Sequence, residues 1–320
     1  MSQQTQDRTR TFADLFDAIV ANVGTAIQGK VDVIRLVTLT LVAEGHILIE
    51  DAPGTGKTSL AKSLAKSIDA EVGRIQFTPD LLPTDVVGLS VWNRNDSCFE
   101  FRKGPVFAGI VLADEINRAS PKTQSALLEA MAERQVTVDG ESHPLRRPFM
   151  VLATQNPLDH EGTYPLPESQ LDRFLMKVSM GYPSREAELR VLDTHTRDDV
   201  VANLAPVVTR SEVQGMAAAA QTVHVADGVR AYLVDLAAAS RRHHDLALGM
   251  SPRATLALQR VCRALAAARG REFVTPDDVK ALAHPVLDHR LVLTTDASLR
   301  GISTADVTDD ILASVPVPRT

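Results

Sequence analysis

The sequence is short of cysteine and aromatic side chains and has no excess of positive charge. Cys98 and Cys262 are the only cysteines in 320 residues. They lie too far apart to form a metal-spaced pair or a disulfide framework, so a reducing compartment is expected. Aromatic residues make up 4% of the chain, with a single tryptophan, Trp92. The balance of 34 Lys+Arg against 40 Asp+Glu gives a formal net charge of −6. That excludes a globally basic surface drawn to nucleic acid or anionic membrane and leaves room only for a local basic patch. Long apolar runs are absent too: stretches such as Val106 to Ala113 fall far short of the roughly 20 residues of a membrane helix. The polar start, Met1 to Arg8, lacks the apolar stretch of a secretion signal. A soluble cytoplasmic protein with no membrane insertion is expected.

What is present is an ordinary globular composition, 44% hydrophobic and 23% charged. At roughly 100–200 residues per domain the length implies two domains. Helical periodicity runs from Phe12 to about Ala26 and from Lys30 to Ala43, before a first strand at His46 to Glu50. Four more short apolar runs follow, at Arg74–Phe77, Ile110–Ala113, Phe149–Ala153 and Leu175–Met180, separated by helix-like stretches at Thr58–Ala70 and Lys122–Glu133. This alternation predicts an α/β fold with a parallel sheet covered on both faces. Two insertions read as hairpins: Gly88–Arg102 around a polar tip, and Gln135–Val138 ahead of the turn pair Asp139-Gly140. After Gly181-Tyr182-Pro183-Ser184 the pattern becomes helical throughout, over Arg185–His195, Ser211–Ala220, Asp227–Arg241, Pro252–Arg269 and Pro276–His284. The expected division is 1–181 for the α/β part and 182–320 for an all-helical part.

The strongest chemical signal is the run Asp51-Ala52-Pro53-Gly54-Thr55-Gly56-Lys57-Thr58, followed by Ser59, which leaves a strand and opens a helix. Phosphates need inward-pointing backbone N–H groups, glycines that let the backbone approach, a lysine for the outer oxygens and a hydroxyl for Mg²⁺. All are present except the first glycine of the pattern, which is Asp51 here. About 55 residues on, Ile110 to Ala113 ends in Asp114-Glu115. That order sets Asp114 at the Mg²⁺ shell and Glu115 where it can activate water. The Phe149–Ala153 strand leads to Asn156-Pro157, which serves either to hold the attacking water or to cap a turn.

The order of these motifs, followed by Leu171-Asp172-Arg173-Phe174, resembles an AAA+ ATPase. The wording of Glu50–Gly54, Arg74–Pro83, Asp114–Ala119 and Thr163–Glu168 is similar to the MoxR family in particular, over nearly the whole chain. The resemblance implies a P-loop NTPase (AAA+) sheet domain carrying helix-2-insert and pre-sensor hairpins, followed by a small helical lid. It also implies ATP and Mg²⁺ as cofactors. Asp51 through Ser59 would bind nucleotide, Thr58 and Asp114 the metal, and Glu115 and Asn156 would serve catalysis.

Arg173 matches the family's arginine finger, which acts across a subunit boundary and implies a homo-oligomeric ring, usually a hexamer. From sequence alone a helix-end salt bridge explains Arg173 equally well. Gly249–Arg253 resembles the second sensor, with Arg253 in a lid helix reaching the nucleotide. The resemblance further implies a chaperone-like remodelling or activation of a client protein, with a von Willebrand factor A domain protein as partner; the −6 charge and 4% aromatic content argue against a nucleic-acid partner. A nucleic-acid motor and a metal-chelatase motor subunit are the alternatives that share the engine. Trp92, Phe99 and Phe101 in the first hairpin either contact a pore or partner or pack the hairpin on its own domain. His243 and His244 lack companions at metal spacing, and no metal is expected there.

Overall fold

A computed structural model describes residues 10–51, 54–156, 163–182, 185–186, 188–189 and 200–318. Two helices lead in. The helix α1 (Phe12–Ala26) starts on a capping box of Thr11 and Asp14, and α2 (Val31–Val42) follows it. The chain then alternates strand and helix: β1 (Ile47–Glu50), α3 (Lys57–Ser67), β2 (Val72–Gln76) and α4 (Pro83–Val87). After the first hairpin, β3 (Gly88–Asn93) and β4 (Cys98–Lys103), come β5 (Ile110–Asp114) and α5 (Pro121–Glu133). The second hairpin, β6 (Gln135–Val138) and β7 (Glu141–Pro144), precedes β8 (Met150–Gln155), α6 (Glu168–Leu171) and β9 (Met176–Val178).

The sheet order is β2-β5-β8-β1-β9, with every neighbouring pair parallel. Its inner strands β1, β5 and β8 are apolar on both faces because both faces are covered, whereas edge strand β2 alternates, exposing Val72, Arg74 and Gln76. Ile47, Ile49, Leu112 and Leu152 face a core shared with α1, α2 and α3, while Leu48, Val111, Ala113 and Val151 face a second core with α5 and Phe174. The carboxyl ends of β1, β5 and β8 lie side by side, since Glu50 pairs with Gln155, and Ala113, the residue before Asp114, pairs with Ala153. Open parallel sheets bind ligands at such an edge. Both hairpins form as the sequence predicts. The turn of the second uses positive φ at Asp139 and Gly140, 52° and 84°, the geometry that an Asp-Gly pair supplies.

Beyond Gly181 the chain folds into helices at Arg210–Thr222, Asp227–Arg242, Pro252–Ala268, Pro276–Leu287, Thr295–Leu299 and Thr304–Ser314. The last two were not anticipated, and most of the expected Arg185–His195 helix lies outside the described residues. This part is also not purely helical: β10 (Leu246–Leu248) and β11 (Val292–Leu293) form an antiparallel ribbon. Runs of two and three residues are too short to show a period of two. The helices of this part complete the first core, in which Leu258, Cys262 and Leu282 belong to the same apolar cluster as Phe16 and Ile34. No helix among the described residues is long and apolar enough to cross a membrane.

Candidate active site

The phosphate-loop residues Asp51 and Gly54–Ser59 are described; Ala52 and Pro53 lie outside the described residues. Gly54 and Gly56 both have left-handed backbone, with φ of 82° and 91°. A Cβ at Gly54 would meet nothing within 4 Å, so conformation rather than crowding selects glycine there. Gly56 caps α3, whose first turn carries Lys57, Thr58 and Ser59. The N–H groups of that turn have no partner within the helix and carry the positive end of its dipole. Lys57 Nζ donates to the Asp51 carbonyl at 3.0 Å, folded back over its own loop. A left-handed cradle, a helix N-terminus, an ammonium and the hydroxyl of Thr58 together fit a polyphosphate with its Mg²⁺.

The acid pair emerges two strands away. Asp114 closes β5, and Thr154 in buried β8 donates to its Oδ1 at 2.7 Å. The same hydroxyl oxygen accepts the Glu115 N–H at 2.8 Å, so one side chain bonds the carboxylate of the first acid and the backbone of the second. Arg74 Nη2 lies 3.0 Å from Asp114 Oδ2 and 2.9 Å from Gln76 Oε1. Glu115 is left-handed, at φ 56° and ψ 50°, a conformation that costs a non-glycine residue energy and turns its side chain out of the strand direction. Gln76 Nε2 at 3.0 Å and Arg118 Nη1 at 3.1 Å both donate to Glu115 Oε2. The two neighbouring carboxylates are thereby held apart for separate tasks. Asn156, 8% exposed, follows β8, which lies between β1 and β5, and so emerges between the loop and the acids.

Arg173 and Arg253 meet elsewhere. They share a cleft of about 310 Å³ with Arg134, Arg260 and Arg290, against only Glu44 and Asp172 as acids, and none of the described phosphate-loop residues lines it. Arg173 Nη1 donates to the Leu128 carbonyl at 2.5 Å. Arg253 Nη1 lies 3.9 Å from Asp172 Oδ2 and is largely exposed. Burial, followed by the like charge of Arg134, lowers the Arg260 pKa, as expected where cations crowd. On the cleft floor His46 Nδ1 accepts the Val151 N–H at 3.0 Å, which leaves Nε2–H to donate to the Met131 carbonyl at 3.1 Å. Burial brings its pKa down to about 4, so His46 is neutral at pH 7.

Sequence reasoning passed over Thr154, Gln76, Arg74 and Asp172. Gln76 was within reach, because its strand had been read and its end must lie beside another strand end. Thr154 looked like one more β-branched strand residue. His243, His244 and Asp245 do come within 4.8 Å of one another through their ligand atoms. Arg300 already engages the Asp245 carboxylate, and His243 Nδ1 accepts the Asp245 N–H at 3.2 Å.

A family model described as "ATPase family associated with various cellular activities (AAA)" matches residues 46–176, and one described as an AAA lid domain matches 238–311. Over 304 residues the chain is 46% identical to the uncharacterized protein YeaC of Bacillus subtilis, covering 95% of each. It is 39% identical to Chaperone MoxR1 of Mycobacterium tuberculosis, over 92% of this chain and 80% of that one. With Protein MoxR of Paracoccus denitrificans it shares 31% identity over 91% and 93%. A solved structure of a Cytophaga hutchinsonii protein superposes with a TM-score of 0.90 at 38% identity, covering 96% of both chains.

Proposed function

The chain belongs to the MoxR family of AAA+ ATPases, and from that premise we propose that it hydrolyses Mg-ATP and uses the resulting lid motion to remodel a partner protein. The observation that carries this reading is the convergence, at one sheet edge, of a left-handed phosphate loop with two carboxylates that Thr154 and Gln76 hold in different orientations. Bound Mg-ATP supplies the anhydride to be cleaved and the cation that neutralises its oxygens. The loop N–H groups bind phosphate, and Lys57 moves from the Asp51 carbonyl to the outer oxygens. Thr58 and Asp114 hold the cation. Glu115 takes a proton from the attacking water, which Asn156 positions.

Arg173 and Arg253 serve a neighbour's nucleotide in a homo-oligomeric ring, usually a hexamer. In support, they share a cationic cleft that the described loop residues of their own chain do not line. A guanidinium fixed against the transferring group stabilises its charge. In this reading 1–181 is the engine and 182–320 the lid, and the protein works in the cytoplasm as a chaperone-like factor. A von Willebrand factor A domain protein is the partner that the family likeness suggests. The test is subunit mixing. Lys57→Ala and Arg173→Ala are each expected to lose ATP turnover, and their mixture to regain part of it, because a ring containing both holds some intact sites. A mixture as inactive as its components would overturn the shared-site reading.

A further inference from the structure

Asp51 stands where the phosphate-loop pattern has its first glycine. Its N–H donates to the Gln155 carbonyl at 3.1 Å, and its carbonyl accepts from Lys57 Nζ at 3.0 Å. Glycine could do both. What glycine lacks is the carboxylate, whose Oδ2 accepts the Gly181 N–H at 2.7 Å. Gly181 lies just past β9, where the chain leaves the sheet for the lid, and its φ of 61° is left-handed. The residues on either side of Gly181 also lie close to the loop and to α2. Met180 Cε lies 4.0 Å from the position a Cβ would take on Gly56 of the loop. Lys30 Nζ, at the start of α2, donates to the Tyr182 carbonyl at 2.7 Å. Gly181 and Tyr182 are thus held by the phosphate loop through Asp51 and by the α2 terminus through Lys30, with Met180 beside Gly56.

We propose that Asp51 is a positioning residue that ties the state of the phosphate loop to the hinge at Gly181, so that filling the loop reorients the lid. The inference rests on the nucleotide reading above. Phosphate oxygens are the stronger acceptors for the Lys57 ammonium, because both partners are charged. When Lys57 turns to the phosphates, the Asp51 carbonyl loses that hydrogen bond. The adjoining side chain is the one hydrogen-bonded to the hinge. A glycine in this position would let the loop relax without passing the change on.

The test is a distance measurement in the full-length protein. A donor dye on Cys98, exposed in the first hairpin, and an acceptor on Leu299→Cys, 83% exposed in the lid, report core-to-lid separation; Cys262 is buried and stays unlabelled. Labelled chain is diluted into excess unlabelled chain. Energy transfer is then read without nucleotide and at saturating Mg-AMP-PNP, with saturation set for each variant by titration. The parent is expected to shift on binding, and Asp51→Asn, whose amide oxygen still accepts from Gly181, to keep the shift. Asp51→Ala and Asp51→Gly, each compared at its own saturating concentration, are expected to lose it. A shift in Asp51→Ala and Asp51→Gly equal to the parent's overturns the proposal, as does a parent that binds without any shift. Failure of the parent to bind nucleotide at all would instead overturn the function proposed above, and this inference with it.

Discussion

Asp172 and Arg290 join the sheet domain to the lid: Arg290 Nε donates to Asp172 Oδ1 at 2.8 Å, one residue before Arg173. The rest of the guanidinium donates to the carbonyls of Phe174, Leu175 and Val286. The neighbouring His289 donates through Nε2 to Phe174 O at 3.1 Å. The turn Asp288–Arg290 thus grips the segment that carries the proposed finger. Burial pulls the Arg290 pKa down and Asp172 pulls it back up, the balance expected of a buried ion pair.

Removing this cation leaves Asp172 with only the more distant Arg253 and takes one donor each from the carbonyls of Phe174, Leu175 and Val286. Arg290→Ala is expected to destabilise the protein by about 3–5 kcal/mol, read as a shift in the urea midpoint. Arg290→Lys restores the charge without the planar fork and should recover only part of the loss. An Arg290→Ala midpoint equal to the parent's would refute the clamp.

Stability is also expected to fall in mild acid. The His46 pKa is about 4 when folded and 6.5 when free, so between those values the unfolded chain binds more protons. The contribution of His46 is therefore complete above pH 6.5 and is lost as pH falls toward 4. At 1.36 kcal/mol per unit this amounts to about 3 kcal/mol. Burial lowers the His289 pKa as well, which adds a loss of the same sign. In urea titrations across this window His46→Asn should show a shallower decline than the parent. An unchanged slope would remove His46 from the account.

Thr154 gives a sharper test of how the acids are positioned. Thr154→Val keeps the shape but leaves the buried Glu115 N–H unpaired and frees Asp114 Oδ1, at a cost of about 1–3 kcal/mol. ATP turnover should fall by about 10²-fold, because small misplacements at a reacting centre are expensive. Thr154→Ser should restore turnover. A Thr154→Val protein with parental turnover would show that the hydroxyl serves stability alone.

The sequence revealed the engine more readily than its supports. Gly54, Gly56, Lys57, Asp114 and Glu115 were legible because phosphate binding and water activation demand particular residue types at fixed places along a strand-loop-helix unit. The hairpins were legible through local turn chemistry such as Asp139-Gly140. Thr154 and Gln76 were not, since their roles come from strand neighbours about 40 residues away in the chain. Arg290 was one arginine among 26, distinguished only by its burial. The meeting of Arg173 and Arg253 depends on how the lid folds back, which helical periodicity does not reveal. Asp51 was visible as a departure from the phosphate-loop pattern, but its bond to Gly181 spans 130 residues.

The most direct test compares nucleotide binding with ATP turnover in Glu115→Gln. The amide keeps the size and the hydrogen-bonding reach of Glu115 but cannot take a proton from water. General-base catalysis is worth about 10²–10⁴-fold, so turnover is predicted to fall by that factor while nucleotide binding persists. A Glu115→Gln protein that hydrolyses ATP at the parent's rate would contradict the assignment of this site.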